Sequence, residues 1–151
     1  MELNREKILF YQKNRDPFLM IDYVTKFIPG KMANGYKNFT NNEWFFPIHF
    51  PGHPNVPGAL QLEALAQMLT VAITTLPGNK GKVTHAISHT VRFKREIKPG
   101  EQLILKTKVL SWKRGICDGF AQGIGVKSLR VHRFFGACGG CEDSEKGEDA
   151  H

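Results

Sequence analysis

At 151 residues and 41% hydrophobic content, the chain has the length of one domain and enough apolar residues for its own core. Its net charge of +7 is unevenly spread: five acids against Lys146 alone between Glu142 and His151 leave 20 basic and 9 acidic residues, a net +11, in the preceding 141. No apolar run reaches the roughly 18 residues of a membrane span, the first seven residues lack a signal-type apolar stretch, and three cysteines fit a reducing cytoplasm better than a disulfide framework.

Asn4 is placed to cap a short helix running through Lys13. The apolar, β-branched run Phe18 to Phe27 ends at Pro29-Gly30, which predicts a strand and a turn, with Lys31 to Thr40 as the hairpin partner. Asn41 to Val56 reads as loop. A helix follows over about Pro57 to Leu76, apolar on nearly every side, and stops at Pro77-Gly78. Pro77 to Lys82 has the composition of a mobile surface loop. Three strands come next, Val83 to Phe93, Gln102 to Trp112 and Ile116 to Ile124, with turns at Pro99-Gly100 and Lys113-Arg114-Gly115. A sheet around one long apolar helix is an α+β arrangement.

Two features near the middle carry chemistry. His49-Phe50-Pro51-Gly52-His53-Pro54 is a Pro/Gly-kinked loop with two imidazoles, and it leads into the apolar helix. That helix holds one carboxylate, Glu63, where a core environment makes an unpaired carboxylate costly or raises its pKa. Gln67 lies at i+4 on the same face, suited to orienting Glu63 or simply to packing. Glu63 also has a bland alternative, as a capping-turn carboxylate at the helix N-terminus. His53 reads as a structural loop residue. His85 and His89 sit at even spacing on one strand, hence on one face, but lack a third ligand, so no metal is expected. Cys138 and Cys141 are half a zinc site without its second half.

The same residues resemble the (3R)-hydroxyacyl-acyl-carrier-protein dehydratases of the FabZ type, which have the hot-dog fold. The likeness extends to Arg15-Asp16-Pro17-Phe18-Leu19-Met20-Ile21-Asp22, to Lys37 through Phe46, to Val91-Arg92-Phe93-Lys94-Arg95 and to Lys98-Pro99-Gly100-Glu101-Gln102-Leu103. It covers about Ile8 to Gly123. What it implies is an antiparallel sheet wrapped around one long buried helix. It also implies a cofactor-free lyase of fatty acid biosynthesis, forming trans-2-enoyl thioesters on acyl carrier protein. His49 and Glu63 fall on the family's catalytic pair, His49 as base and Glu63 as acid, contributed by opposite protomers of a homodimer; hexamers built as a trimer of such dimers are common in the family, and the sequence leaves open whether this chain forms them. Gly58 offers a helix-start N–H to polarise the thioester carbonyl, and Phe50 and Gln67 join it as substrate-site residues.

The basic body suits an acidic partner. Its bases form no Lys/Arg block with interleaved aromatics, so nucleic acid fits less well than an acidic carrier protein. Arg92, Lys94, Arg95 and Lys98 are the expected docking residues. The chain departs from the family pattern at Ile48, where the family has Gly, so the loop there must use an ordinary backbone conformation and the acyl tunnel is narrowed. It departs again after Gly123: Gly125 to Phe135 has only a vague strand pattern. The expected organisation is thus a single domain over 1–135 with a doubtful closing strand, and a disordered acidic tail over 136–151. The rival readings are a hot-dog thioesterase, whose carboxylate activates water and needs no His49 loop, and a non-catalytic acyl-binding or assembly subunit.

Overall fold

The computed structural model describes residues 1–123 and 126–136. The tail expected over 136–151, with Cys138 and Cys141, lies outside these residues but for Gly136. Six strands and two helices follow in the order α1 (Arg5–Tyr11), β1 (Tyr23–Ile28), β2 (Met32–Asn38), α2 (Gly58–Thr74), β3 (Val83–Phe93), β4 (Gln102–Lys113), β5 (Ile116–Gly123) and β6 (Val126–Gly136). The strands form one antiparallel sheet in the order β1-β2-β4-β5-β6-β3. The sheet wraps α2, from which Leu60, Ala64, Leu65, Met68, Leu69 and Ile73 are all buried. This is the hot-dog arrangement that the resemblance implied.

Asn4 caps α1 as its position suggests, its Oδ1 accepting from the Lys7 N–H at 2.9 Å. The helix lies so close to β5 that a Cβ on Gly119 would stand 2.4 Å from a Leu69 methyl, a separation no side chain tolerates. Two sequence expectations change. The strand expected from Phe18 begins only at Tyr23. Leu19, Met20 and Ile21 are buried without joining the sheet, because the Gln67 amide accepts from the Met20 N–H and donates to the Phe18 carbonyl, each at 2.8 Å, in place of a neighbouring strand. The segment after α2 is also anchored: Asn79 is buried and donates to the Ile73 carbonyl, and the Gly81 N–H donates to the Tyr11 carbonyl.

The closing strand doubted in the sequence is formed. β6 pairs with β3 from Val83↔Gly136 to Phe93↔Val126 and with β5 from Ile116↔Phe134 to Gly123↔Val126, so it lies inside the sheet. The edge passes instead to β3. Of its nine residues from His85 to Phe93, seven are exposed, among them Ile87 and Phe93 at 54% and 46%. A register shift between Ala86 and Ser88 leaves Ile87 unpaired and reverses the alternation. His85 and His89 therefore face opposite sides of the sheet, which corrects the one-face reading. Among the described residues no cluster of metal-binding side chains forms.

Candidate active site

A buried aromatic group roots the His49 loop. Phe39, Phe45 and Phe46 are all buried, with Phe45 packed edge-on against the other two. From that root the Phe45 carbonyl accepts the His49 N–H at 2.9 Å. His49 and Asn55 then close the loop: the Asn55 N–H donates to the His49 carbonyl at 2.9 Å, and His49 Nδ1 lies 3.0 Å from the Asn55 carbonyl oxygen. A carbonyl can only accept, so Nδ1 must carry the hydrogen and donate. Nε2 is thereby left as the imidazole's lone-pair nitrogen. The Phe50 ring stacks on the imidazole at 4.0 Å between centroids and is itself 53% exposed. Ile48, 67% exposed, takes no left-handed backbone conformation, in line with its β-branched side chain. His53 points away, its Nε2 3.2 Å from the Glu96 carboxylate on the surface.

Glu63 is built differently. It projects from the second turn of α2 with its side chain 18% exposed. Gln67 Nε2 donates to its Oε1 at 3.0 Å, and the Arg133 guanidinium donates through Nη2 to its Oε2 at 3.3 Å. The unpaired carboxylate expected from the sequence is thus a paired one, and the capping alternative for it falls away. Gln67 makes the contact to Glu63 that its i+4 spacing allowed. Arg133 was missed. The available signal was its place two residues after Val131 on one strand, which puts both on the core-facing side.

Gly58 opens α2 with Pro57 as N-cap, and no side chain caps that end, so the first N–H groups of the helix have no side-chain acceptor. A Cβ at Gly58 would come within 2.7 Å of the Phe93 ring, which explains the glycine on packing grounds alone. A cavity of about 360 Å³ lies beside Glu63, bordered among others by Gln12, Phe18, Lys82, Thr84 and Arg133. His49 does not border it. Within one protomer the loop and the carboxylate are therefore not brought together by any hydrogen bond or by this cavity.

Near Glu63 lies His89, whose pKa is lowered chiefly by burial and further by the Arg133 charge, with Glu63 acting in the opposite sense. Burial likewise pushes the Cys117 thiol up to about 12. Arg92, Lys94, Arg95 and Lys98 are all exposed. Arg95 is engaged with the Glu101 carboxylate at 3.1 Å and the Glu96 carbonyl at 2.7 Å.

The FabA-like domain family matches residues 13–125. The 3-hydroxyacyl-[acyl-carrier-protein] dehydratase FabZ of Syntrophomonas wolfei is 40% identical over 123 residues, 81% of this chain and 85% of that protein. FabZ of Bacillus licheniformis is 43% identical over 118 residues, 78% and 82% of the two chains. The chain belongs to the FabZ dehydratase family. Solved structures agree on the fold: the dehydratase heterocomplex ApeI:P from Xenorhabdus doucetiae superposes with a TM-score of 0.71 at 13% identity, covering 85% of this chain and 90% of its own. A hypothetical thioesterase with coenzyme A from Streptococcus pneumoniae also matches, with a TM-score of 0.53 at 12% identity over 76% and 84% of the chains. Membership of the FabZ family favours dehydration over the thioesterase reading, since likeness at such identity speaks for the fold alone.

Proposed function

We propose that the protein dehydrates (3R)-3-hydroxyacyl-acyl-carrier-protein to the trans-2-enoyl thioester in fatty acid biosynthesis, with His49 as base and Glu63 as acid. The observation that carries this reading is the fixed His49 tautomer, which leaves Nε2 able to take a proton. His49 Nε2 removes the C2 proton, and the electron pair of that bond becomes the C2–C3 double bond. The C3–O bond breaks, and the leaving hydroxyl takes the proton of Glu63 to depart as water. The proton on His49 then returns to Glu63, restoring both groups. The Gly58 N–H at the open start of α2 polarises the thioester carbonyl. Proton transfers and this polarisation complete the reaction, so no step calls for a metal or cofactor.

The site is shared between two copies of the chain. Support comes from the separation of His49 from the cavity beside Glu63, and from β3, a long edge strand carrying exposed Ile87 and Phe93. Such an edge presents unpaired backbone groups that a second β3 satisfies. Assembly of dimers into a hexamer follows from the family resemblance. The exposed bases Arg92, Lys94 and Lys98 dock the acidic carrier protein, and the enzyme works in the cytoplasm. The family proteins are named for an acyl-carrier substrate, and no helix among the described residues is long and apolar enough to cross a membrane.

The deciding experiment follows enoyl formation from 3-hydroxyacyl carrier protein by ultraviolet absorbance, alongside release of free thiol. Enoyl product without thiol supports the dehydratase. Thiol release without enoyl product would replace it with the thioesterase, and carrier binding without turnover would replace it with an assembly subunit.

A further inference from the structure

Arg133 is a buried charge to which the dehydration gives no part. It lies on the core-facing side of β6 with Val131, the two being 6% and 0% exposed. Burying a guanidinium is costly unless its donors find partners. Here Nη1 donates to Thr84 Oγ1 at 3.1 Å and Nη2 to Glu63 Oε2 at 3.3 Å, while Nε is buried without a partner. Glu63 is thus the charged partner that compensates this buried cation.

The other neighbour of Glu63 leads to the same point. The Gln67 amide is fixed end for end, because its oxygen accepts from the Met20 N–H and its nitrogen donates to the Phe18 carbonyl. Only N–H therefore faces Glu63 Oε1, at 3.0 Å. A guanidinium offers donors alone. Both oxygens of Glu63 consequently face obligate donors, a setting that suits a carboxylate and offers no acceptor to a carboxylic acid O–H.

We propose that Arg133 is a positioning residue that holds Glu63 as a carboxylate and so acts as a built-in brake on proton delivery. This rests on the reading of Glu63 as the acid of the dehydration. In each cycle the proton leaves Glu63 for the departing hydroxyl, and the carboxylate left behind is the form Arg133 retains. The return of the proton from His49 to Glu63 is the step the guanidinium opposes. Removing Arg133 then speeds turnover rather than slowing it.

Replacing Arg133 by Met keeps bulk at a core-facing position and removes the charge. In Arg133→Met, kcat for dehydration should rise about 10-fold, part of the 10²- to 10⁴-fold that general acid–base catalysis supplies, with KM within about twofold of the parent. Arg133→Lys should stay near the parental rate. A folded Arg133→Met protein with unchanged or lower kcat overturns the brake alone, while the dehydratase reading stands if the parent turns over. Turnover by neither protein overturns both. The infrared difference between the parent and Glu63→Gln gives a second readout that does not require Arg133→Met to fold. Loss of an ionised carboxylate band supports the proposal; loss of a carboxylic acid carbonyl band overturns it.

Discussion

His49 stands on a loop beside exposed Ile48 and Phe50 and makes one ring hydrogen bond, to a carbonyl within its own loop. Glu63 stands in a buried helix with both oxygens held, by Gln67 one helical turn on and by Arg133, 70 residues away on β6. The loop needs little from the rest of the fold to set its chemistry, whereas the carboxylate depends on three elements at once: α2, the buried segment before β1, and β6. A half-buried imidazole on a loop can meet a substrate or a partner copy. A carboxyl group enclosed by two donors has its orientation set by the fold.

The sharpest way to break this contrast is to remove each group in turn. His49→Ala should lower kcat/KM by 10²- to 10⁴-fold while leaving the melting temperature within a few degrees, because the imidazole anchors nothing beyond its own loop. Glu63→Ala should lose activity comparably but also lose stability. Subunits of the two inactive variants, once mixed and exchanged, should recover part of the activity, since one intact His49–Glu63 pair can form across the dimer. A failure to recover after proven exchange would remove the shared site.

Glu63→Gln tests the buried side alone. An unpaired core carboxylate, as the sequence alone suggests, would be relieved by this change at no cost. The structure reverses the sign, because Arg133 would remain buried with its charge uncompensated. Urea unfolding should show a loss of about 1–3 kcal/mol, and the loss should shrink in the Arg133→Met background. Equal losses in both backgrounds would show that the two groups are not coupled.

Carrier docking lies on the outer, loop-like side of the contrast. Arg95 is held by Glu101 and the Glu96 carbonyl, so Arg92, Lys94 and Lys98 are the better residues to reverse. Changing Arg92 and Lys98 to Glu should raise KM for carrier-linked substrate by about 10-fold at low salt, less at high salt, and leave a short pantetheine substrate unaffected. Equal effects on both substrates would make these residues structural.

What the sequence disclosed follows the same division. The elements with strong local signals, the Asn4 cap, the apolar helix before Pro77-Gly78 and the strand Val83–Phe93, stand close to where pattern alone placed them. His49 and Glu63 were legible because the Pro/Gly loop and the lone carboxylate are local features. Arg133 was not, since its role depends on β6 being inserted between β5 and β3, a pairing no local pattern announces. The start of β1 was misplaced for the same reason: a side-chain amide 47 residues away stands in for a strand partner. The unpaired Ile87 also escaped periodicity, and with it the separation of His85 from His89.

The smallest expected effect is a pH dependence on the buried side. His89 has its Nε2 buried without a partner, and its pKa lies below the usual 6.5, mainly through burial and next through Arg133, with Glu63 partly offsetting them. The unfolded chain therefore takes up a proton here more readily than the folded one, so His89 favours folding above about pH 6.5 and that contribution falls as the pH drops toward the folded value. Glu101 behaves alike at lower pH: its carboxylate is held below the usual value of 4.5 first by Arg95 and then by the Lys98 N–H, so its stabilisation is lost only beneath that value. The two windows are separable. Urea midpoints should decline for the parent between pH 8 and pH 5.5 and decline less there for His89→Gln, and extended below pH 4.5 the further decline should be smaller in Glu101→Gln. An unchanged slope in His89→Gln would mean that the enclosure around Glu63 and Arg133 does not reach His89.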